Sequence, residues 1–206
     1  MGTTDDAIAA ERRDLADLFD ALTPDQWARP SLCAGWRVRE VVAHMSMGFR
    51  YSRPRVLREL LAARGSLHRM ADRLAHRDAA AHTDAELAGL LRTHARHPWG
   101  PPVGGRAAAL AHDVVHGLDV AVALGLDRRV PEDRLRIVLG TISPRGARFF
   151  GADLSGVRLV ADDLDWSYGS GSPVHGAAQD LLLVAFGRRL PAARLEGPEV
   201  HRFVTA

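Results

Sequence analysis

The chain has 206 residues, 47% of them hydrophobic and 25% charged, with 27 basic against 25 acidic side chains and a net charge of +2. That length buries a real core, as one domain with an appendage or as two small ones, and the apolar fraction excludes a disordered chain. The single cysteine, Cys33, excludes an internal disulfide framework and any multi-cysteine zinc or iron–sulfur site.

Every basic residue is an arginine, and these run from Arg12 to Arg202 interleaved with acids and aliphatics. A nucleic-acid binder gathers them on one stripe, so nucleic-acid binding is not expected. No run of ~18 apolar residues predicts a membrane span. The opening MGTTDDAIAAERRD lacks a basic-then-apolar leader, and a cytoplasmic location is expected.

In chain order, the 3.6-residue period predicts helices through the first ~150 residues. Ile8, Leu15, Leu18, Phe19 and Leu22 set a helix over 7–22. Thr23-Pro24-Asp25 combines an N-cap, a first-turn proline and an acid, which starts a second, short helix. Gly35 breaks the chain, and 36–49 carries Val38, Val41, Val42, Met45 and Phe49 on one stripe. Pro54 kinks or ends that helix before 56–63. An Ala/Arg/His-rich helical stretch follows over 66–95, with Thr83 as a restart. Pro98-Trp99-Gly100-Pro101-Pro102 with Gly104-Gly105 is the clearest loop. A strong helix over 106–124 stops at Gly125, and 132–150 is the last of the bundle. After Gly151 the texture changes. Residues 157–161 alternate like a strand, with 164–168 as a partner. Gly169 to Pro173 turns, 174–187 returns to helical spacing, and 195–204 closes as a strand. The pattern predicts a helical bundle over 1–150 and a small mixed lobe over 151–206.

Ten histidines raise the question of a metal. His68, His76, His82, His94 and His97 lie in an arginine-rich region and read as solvated surface residues. His175 and His201 lack partners at ligand spacing. His112 and His116 differ: four residues apart on a helix, they lie ~40° apart around its axis and can reach one cation. Their stripe also holds Ala108, Ala109, Asp119 and Ala123. The small residues leave space above the imidazoles, and Asp119 can accept a ring N–H from behind. The main apolar arc (Leu110, Val114, Val115, Leu118, Val122) lies beside this stripe, which puts the pair at the rim of the buried face. Two ligands are too few for a stable zinc site. His44 is the best third, yet it lies some 120° from its helix's apolar stripe. The pattern therefore leaves it between a ligand and a polar-face histidine. Cys33 precedes a predicted helix start, where the dipole can lower a thiol's pKa. No base stands at a fixed spacing from it, which favours a packed small residue over a nucleophile. Trp27, Trp36 and Trp166 read as core or lobe-packing aromatics, with a place lining the cleft open to one of them.

Leu22-Thr23-Pro24-Asp25-Gln26-Trp27 and the run PSLCAGWRVREVVAH over 30–44 resemble the opening of the mycothiol-dependent maleylpyruvate isomerase family, within the DinB-like superfamily of metal-binding bundles. The run AHDVVHGLDV over 111–120 is similar to that family's second metal motif. Residues 157–162, with Asp165-Trp166-Ser167, Gly169-Ser170-Gly171 and Gly187-Arg188, are similar to its appended lobe. The resemblance implies a mainly α fold, a DinB-like four-helix bundle with a small C-terminal α/β lobe. It implies a divalent metal, zinc by donor type, held by His44, His112 and His116, and mycothiol as thiol cosubstrate. In one position the chain departs: the named isomerase type has a carboxylate where this chain has His112. The implied activity is that of a thiol transferase or isomerase, in which three neutral imidazoles leave a position for a thiolate that adds to a small electrophile. A zinc hydrolase, and a metal-bearing binding protein without turnover, stay open beside it. The expected partners are a small electrophile and a low-molecular-weight thiol, with no nucleic acid and no membrane, for a monomer or homodimer. The lobe is expected to shape the substrate cleft.

Overall fold

The computed structural model describes residues 3–101 and 103–205. Met1 and Gly2, Pro102 of the proline-rich loop and Ala206 lie outside the described residues. Ten α-helices and one small sheet among the described residues make the fold mainly α. The chain packs as two compact units, Met1–Leu124 and Gly125–Ala206. The division falls before the change of texture at Gly151, so residues 132–149 pack within the second unit rather than closing the bundle.

The first unit holds α1 (Thr4–Asp20), α2 (Pro24–Ala28), α3 (Val38–Arg50), α4 (Arg53–Ala62), α5 (Leu67–Ala81), α6 (Asp84–Thr93) and α7 (Gly105–Leu124). Thr3, Thr23 and Thr83 each accept a hydrogen bond from the backbone N–H three residues on, and Asp6, Gln26 and Glu86 return one. Such a cap contributes about 1 kcal/mol and fixes where its helix begins. Pro54 sits in the first turn of α4, where its missing N–H leaves no bond unmade. It therefore starts a helix instead of kinking α3.

The helix α1 packs against α6 and α7, while α3 packs against α5, α6 and α7. Leu15, Phe19, Val41, Met45, Leu87 and Val120 meet in the space between them and are fully buried. Each such side chain stabilises the fold by roughly 1.5–3 kcal/mol. By length and composition α7 could cross a bilayer, because an 18-residue window of mean hydropathy 1.4 tolerates its few charges. In the structure 67% of that window is buried, and Asp113 and Asp119 are buried with it. The helix is the apolar centre of the bundle.

In the second unit, α8 (Glu132–Leu139) and α9 (Pro144–Phe149) replace the single helix expected over 132–150. The first ends at Gly140, and Ser143 caps a fresh start with Pro144 in its first turn. Strand β1 (Val157–Ala161) pairs antiparallel with β2 (Ser167–Gly169) and parallel with β3 (Ser172–Gly176), and β3 pairs antiparallel with β4 (Leu195–Glu196). The order is β2-β1-β3-β4, with Leu159 opposite both Tyr168 and Val174. The helix expected from 174 divides, since β3 takes its start and α10 (Ala178–Ala185) begins afterwards. Gly171, at φ +125°, turns β2 into β3 where a Cβ would lie 2.1 Å from the Gly156 carbonyl oxygen. The expected closing strand shrinks to β4, followed by Gly197 at φ +132° and a 3-10 turn at Val200–Arg202.

Candidate metal centre

His112 and His116 stand one turn apart on α7, each side chain 12% exposed, at the edge of the buried arc as their spacing predicts. His44 comes from α3, and its Nε2 lies 3.2 Å from His112 Nε2. The three rings sit with centroids 4.8–5.1 Å apart. One ring nitrogen from each lies within 4.8 Å of the other two. The offset of His44 from its helix's apolar stripe now has a physical reason. Helix α3 meets α5, α6 and α7, so it has more than one inward side, and the largest hydrophobes mark only one of them.

Two carboxylates stand behind the rings. His116 Nδ1 donates to Asp119 Oδ2 at 3.0 Å, the arrangement expected from their spacing. His112 Nδ1 donates to Asp113 Oδ1 at 3.1 Å. Asp119 is 0% and Asp113 1% exposed. With Nδ1 protonated toward a carboxylate, Nε2 of each ring keeps its lone pair. The Asp113 role escaped sequence reasoning because adjacent residues on a helix point in different directions. Only the bend of the imidazole toward its neighbour's carboxylate brings them together.

The donor set fits a divalent cation. Metal–nitrogen bonds of 2.0–2.1 Å in tetrahedral geometry place neighbouring nitrogens about 3.3 Å apart, close to the His44–His112 separation. Imidazole nitrogens are donors that zinc prefers, and two of the three rings, His112 and His116, have Nδ1 held by a carboxylate. Cys33, His116 and Asp119 form a second close group. Hydrogen bonds account for that group, because the Cys33 thiol donates to Asp119 Oδ2 at 3.0 Å and lies 3.8 Å from His116 Nδ1.

Two indoles flank the histidines. The Trp36 ring centroid is 5.0 Å from that of His44, with Nε1 donating to Asp72 Oδ1 at 2.9 Å. Trp99 lies 5.0 Å from His112, inclined at 71°. It can do so because Gly48, one turn beyond His44 on α3, has no side chain: a Cβ there would fall 2.2 Å from the indole. The Trp99 loop is held by Arg106, whose Nη1 donates to the carbonyls of Pro98 and Trp99 at 2.8 and 3.0 Å. Ala108 and Ala109 do not leave open space as expected, since they receive the loop glycines Gly104 and Gly100. A Gly–Gly turn in a proline-rich loop ahead of a histidine helix was the signal for this cover.

Cys33 is not at a helix start. It lies in the Ser31–Trp36 turn, ahead of α3, where Leu32 N donates to Asp119 O at 3.1 Å and Gly35 adopts φ +80°. That turn brings the thiol to Asp119. Trp27 is buried against Phe19, and Trp166 stacks on Tyr168 in the second unit. His94 and His97 are half-buried around Phe49, with His94 stacked at 5.4 Å, rather than solvated. Burial pushes the His97 imidazole below its usual range, and nearby His94, Arg12 and Arg106 push it the same way. His175 pairs with Asp162 at 3.1 Å, and His68 and His76 are exposed.

The family model of the mycothiol maleylpyruvate isomerase N-terminal domain matches residues 8–121. Among solved structures, the mycothiol-dependent maleylpyruvate isomerase is similar with a TM-score of 0.54 and 18% identity, over 96% of this chain and 95% of that one. A histidine-to-alanine mutant of the mycothiol-dependent maleylpyruvate isomerase is similar with a TM-score of 0.54 and 17% identity, over the same shares. At these identities the likeness establishes the fold. No curated protein sequence matches the chain.

Proposed function

The chain belongs to the mycothiol maleylpyruvate isomerase N-terminal domain family, and from that membership we propose that it is a mycothiol-dependent isomerase of a small electrophilic substrate, working at a divalent metal held by His44, His112 and His116. The observation that carries this reading is the convergence of three ring nitrogens from α3 and α7 within 4.8 Å. A divalent cation there, zinc by its match to three imidazoles, supplies the charge that keeps a bound thiol as thiolate at neutral pH.

The residues of the chain divide the remaining work. Asp113 and Asp119 fix the tautomer and rotation of His112 and His116. Trp36 and Trp99 flank the rings and limit the directions from which a substrate reaches them. The sulfur of the thiol adds to a conjugated double bond, the resulting single bond rotates, and expulsion of the same thiolate restores the double bond in the other geometry. No atom is gained or lost, and the thiol is regenerated. A cytoplasmic setting, where small thiols stay reduced, suits this chemistry.

The test is turnover of a cis-unsaturated keto acid of the maleylpyruvate type by zinc-loaded and metal-stripped chain, each with and without mycothiol. The reading requires turnover only where both are present. Equal turnover without thiol overturns it in favour of a hydrolase, and equal turnover after metal removal overturns the metal assignment.

A further inference from the structure

Arg12, on α1, is 0% exposed and is among the largest fully buried side chains of the protein. A guanidinium in such a place is costly unless it is paired and hydrogen-bonded. Its Nε donates to Asp113 Oδ2 at 2.8 Å. Its Nη1 donates to the carbonyl of His97 at 2.8 Å and lies 3.3 and 3.4 Å from those of His94 and Ala95. Its carbon sits 4.6 Å from the centroid of the Phe49 ring. The guanidinium is therefore fixed from three sides.

What Asp113 does with its other oxygen gives this pairing a meaning beyond packing. Oδ1 accepts from His112 Nδ1, so a line of contacts runs from Arg12 through Asp113 into the three-histidine cluster. Whatever fixes the plane of the Asp113 carboxylate also fixes the rotation of the His112 ring. An arginine suits this task because its planar fork sets direction, where a lysine offers a point charge on a flexible stem. Through Nη1 the same side chain holds the 94–97 turn, from which the chain runs to Trp99 against the His112 ring.

We propose that Arg12 is a positioning residue of the three-histidine centre, setting the rotation of His112 through Asp113 and holding the turn that presents Trp99 to the same ring. The proposal rests on the reading of His44, His112 and His116 as metal ligands. A residue three contacts from the metal would then govern its affinity, although it touches neither metal nor substrate.

The experiment is titration of the metal-stripped full-length chain with cobalt(II), followed by the visible absorption of the bound ion and by competition with a chelator. Folding is checked by circular dichroism. Arg12→Met and Asp113→Asn are each expected to weaken cobalt binding by about ten-fold or more, the range seen when groups behind a ligand are lost. The double variant should lose less than the product of the two singles, because Arg12 and Asp113 share the route through one carboxylate. Arg12→Lys, which keeps the charge, should recover part of the loss. Folded Arg12→Met with unchanged affinity and cobalt spectrum overturns the proposal, as does a double variant whose loss is the product of the two singles. If Arg12→Met does not fold, Arg12→Lys decides: weakened binding supports the proposal and unchanged binding overturns it. Absence of cobalt binding by the unsubstituted chain overturns the metal reading itself, and this proposal with it, before any variant is compared.

Discussion

His44 Nε2 lies 3.2 Å from His112 Nε2, although 68 residues separate them in the chain. Two imidazole nitrogens that close either share a proton or face a common cation. The nearby His116, with its own Nδ1 held by Asp119, favours the cation. The unsubstituted chain should accordingly bind one zinc per molecule. His44→Ala, His112→Ala and His116→Ala should each weaken zinc by more than about 100-fold, beyond the range for groups behind a ligand. The helical far-ultraviolet signal should persist, because all three rings sit at the rim of the core. Elemental analysis after gel filtration checks this, and full zinc in all three variants would remove the triad as the site.

Asp119 takes hydrogen bonds on one oxygen from both His116 and Cys33. Asp119→Asn keeps the shape but presents a weaker acceptor, or an N–H, to the imidazole. Zinc affinity should fall about 10–100-fold with the fold retained. Competition against a chelator of known affinity measures it. An unchanged value would make Asp119 a packing residue only.

The sequence marked the helices of the first unit well because their signals are local: Thr caps, a first-turn proline, and apolar residues at helical spacing. The pair His112–His116 and its partner Asp119 were legible for the same reason, since all three lie on one helix and spacing fixes their relative direction. His44 was not legible from periodicity, because which side of α3 meets α7 depends on how three neighbours pack around it. Resemblance to a family supplied it instead. Arg12 and Trp99 needed the fold because each acts across elements, α1 to α7 and a loop onto a glycine of α3, and Asp113 needed the rotation of the adjacent His112 ring. In the second unit, strands of two to five residues carry too little pattern to separate from turns, which is why the spacing predicts a helix where β3 begins.

His97 links pH to the wall of the site. Its Nδ1 accepts the backbone N–H of Trp99 at 3.2 Å, which only the neutral ring can do there. Burial, then the neighbouring His94, Arg12 and Arg106, hold its pKa below the ordinary value of 6.5. As pH falls, the unfolded chain takes up this proton before the folded one. Stability that is complete above the ordinary histidine range is therefore lost as pH falls through 6.5 toward the lowered value. His97→Gln should show a smaller drop in Tm between pH 8 and pH 5.5 than the unsubstituted chain. Parallel Tm curves would show that His97 carries none of the dependence.

Cys33 is the one thiol in the chain, and it stands within hydrogen-bonding distance of Asp119 and 3.8 Å from His116. Two roles for it make opposite forecasts. As a nucleophile, its sulfur would attack the substrate, and Cys33→Ala would abolish turnover whatever thiol is added. As a hydrogen-bond donor to Asp119, its loss leaves the external thiol free to react and removes one contact from the carboxylate behind His116. The second role follows from the geometry, because the S–H points at a carboxylate oxygen already engaged by the His116 ring. Cys33→Ala should therefore keep most of its mycothiol-dependent turnover, with zinc weakened by no more than about ten-fold, at the low end for an outer contact. Cys33→Ser, which restores a donor of similar size, should bind zinc more tightly than the alanine variant. The rates are compared at saturating zinc, with and without mycothiol. Complete loss of turnover in zinc-loaded Cys33→Ala would make Cys33 the attacking group. Equal rates with and without mycothiol would instead remove the thiol from the reaction and leave a zinc hydrolase as the reading.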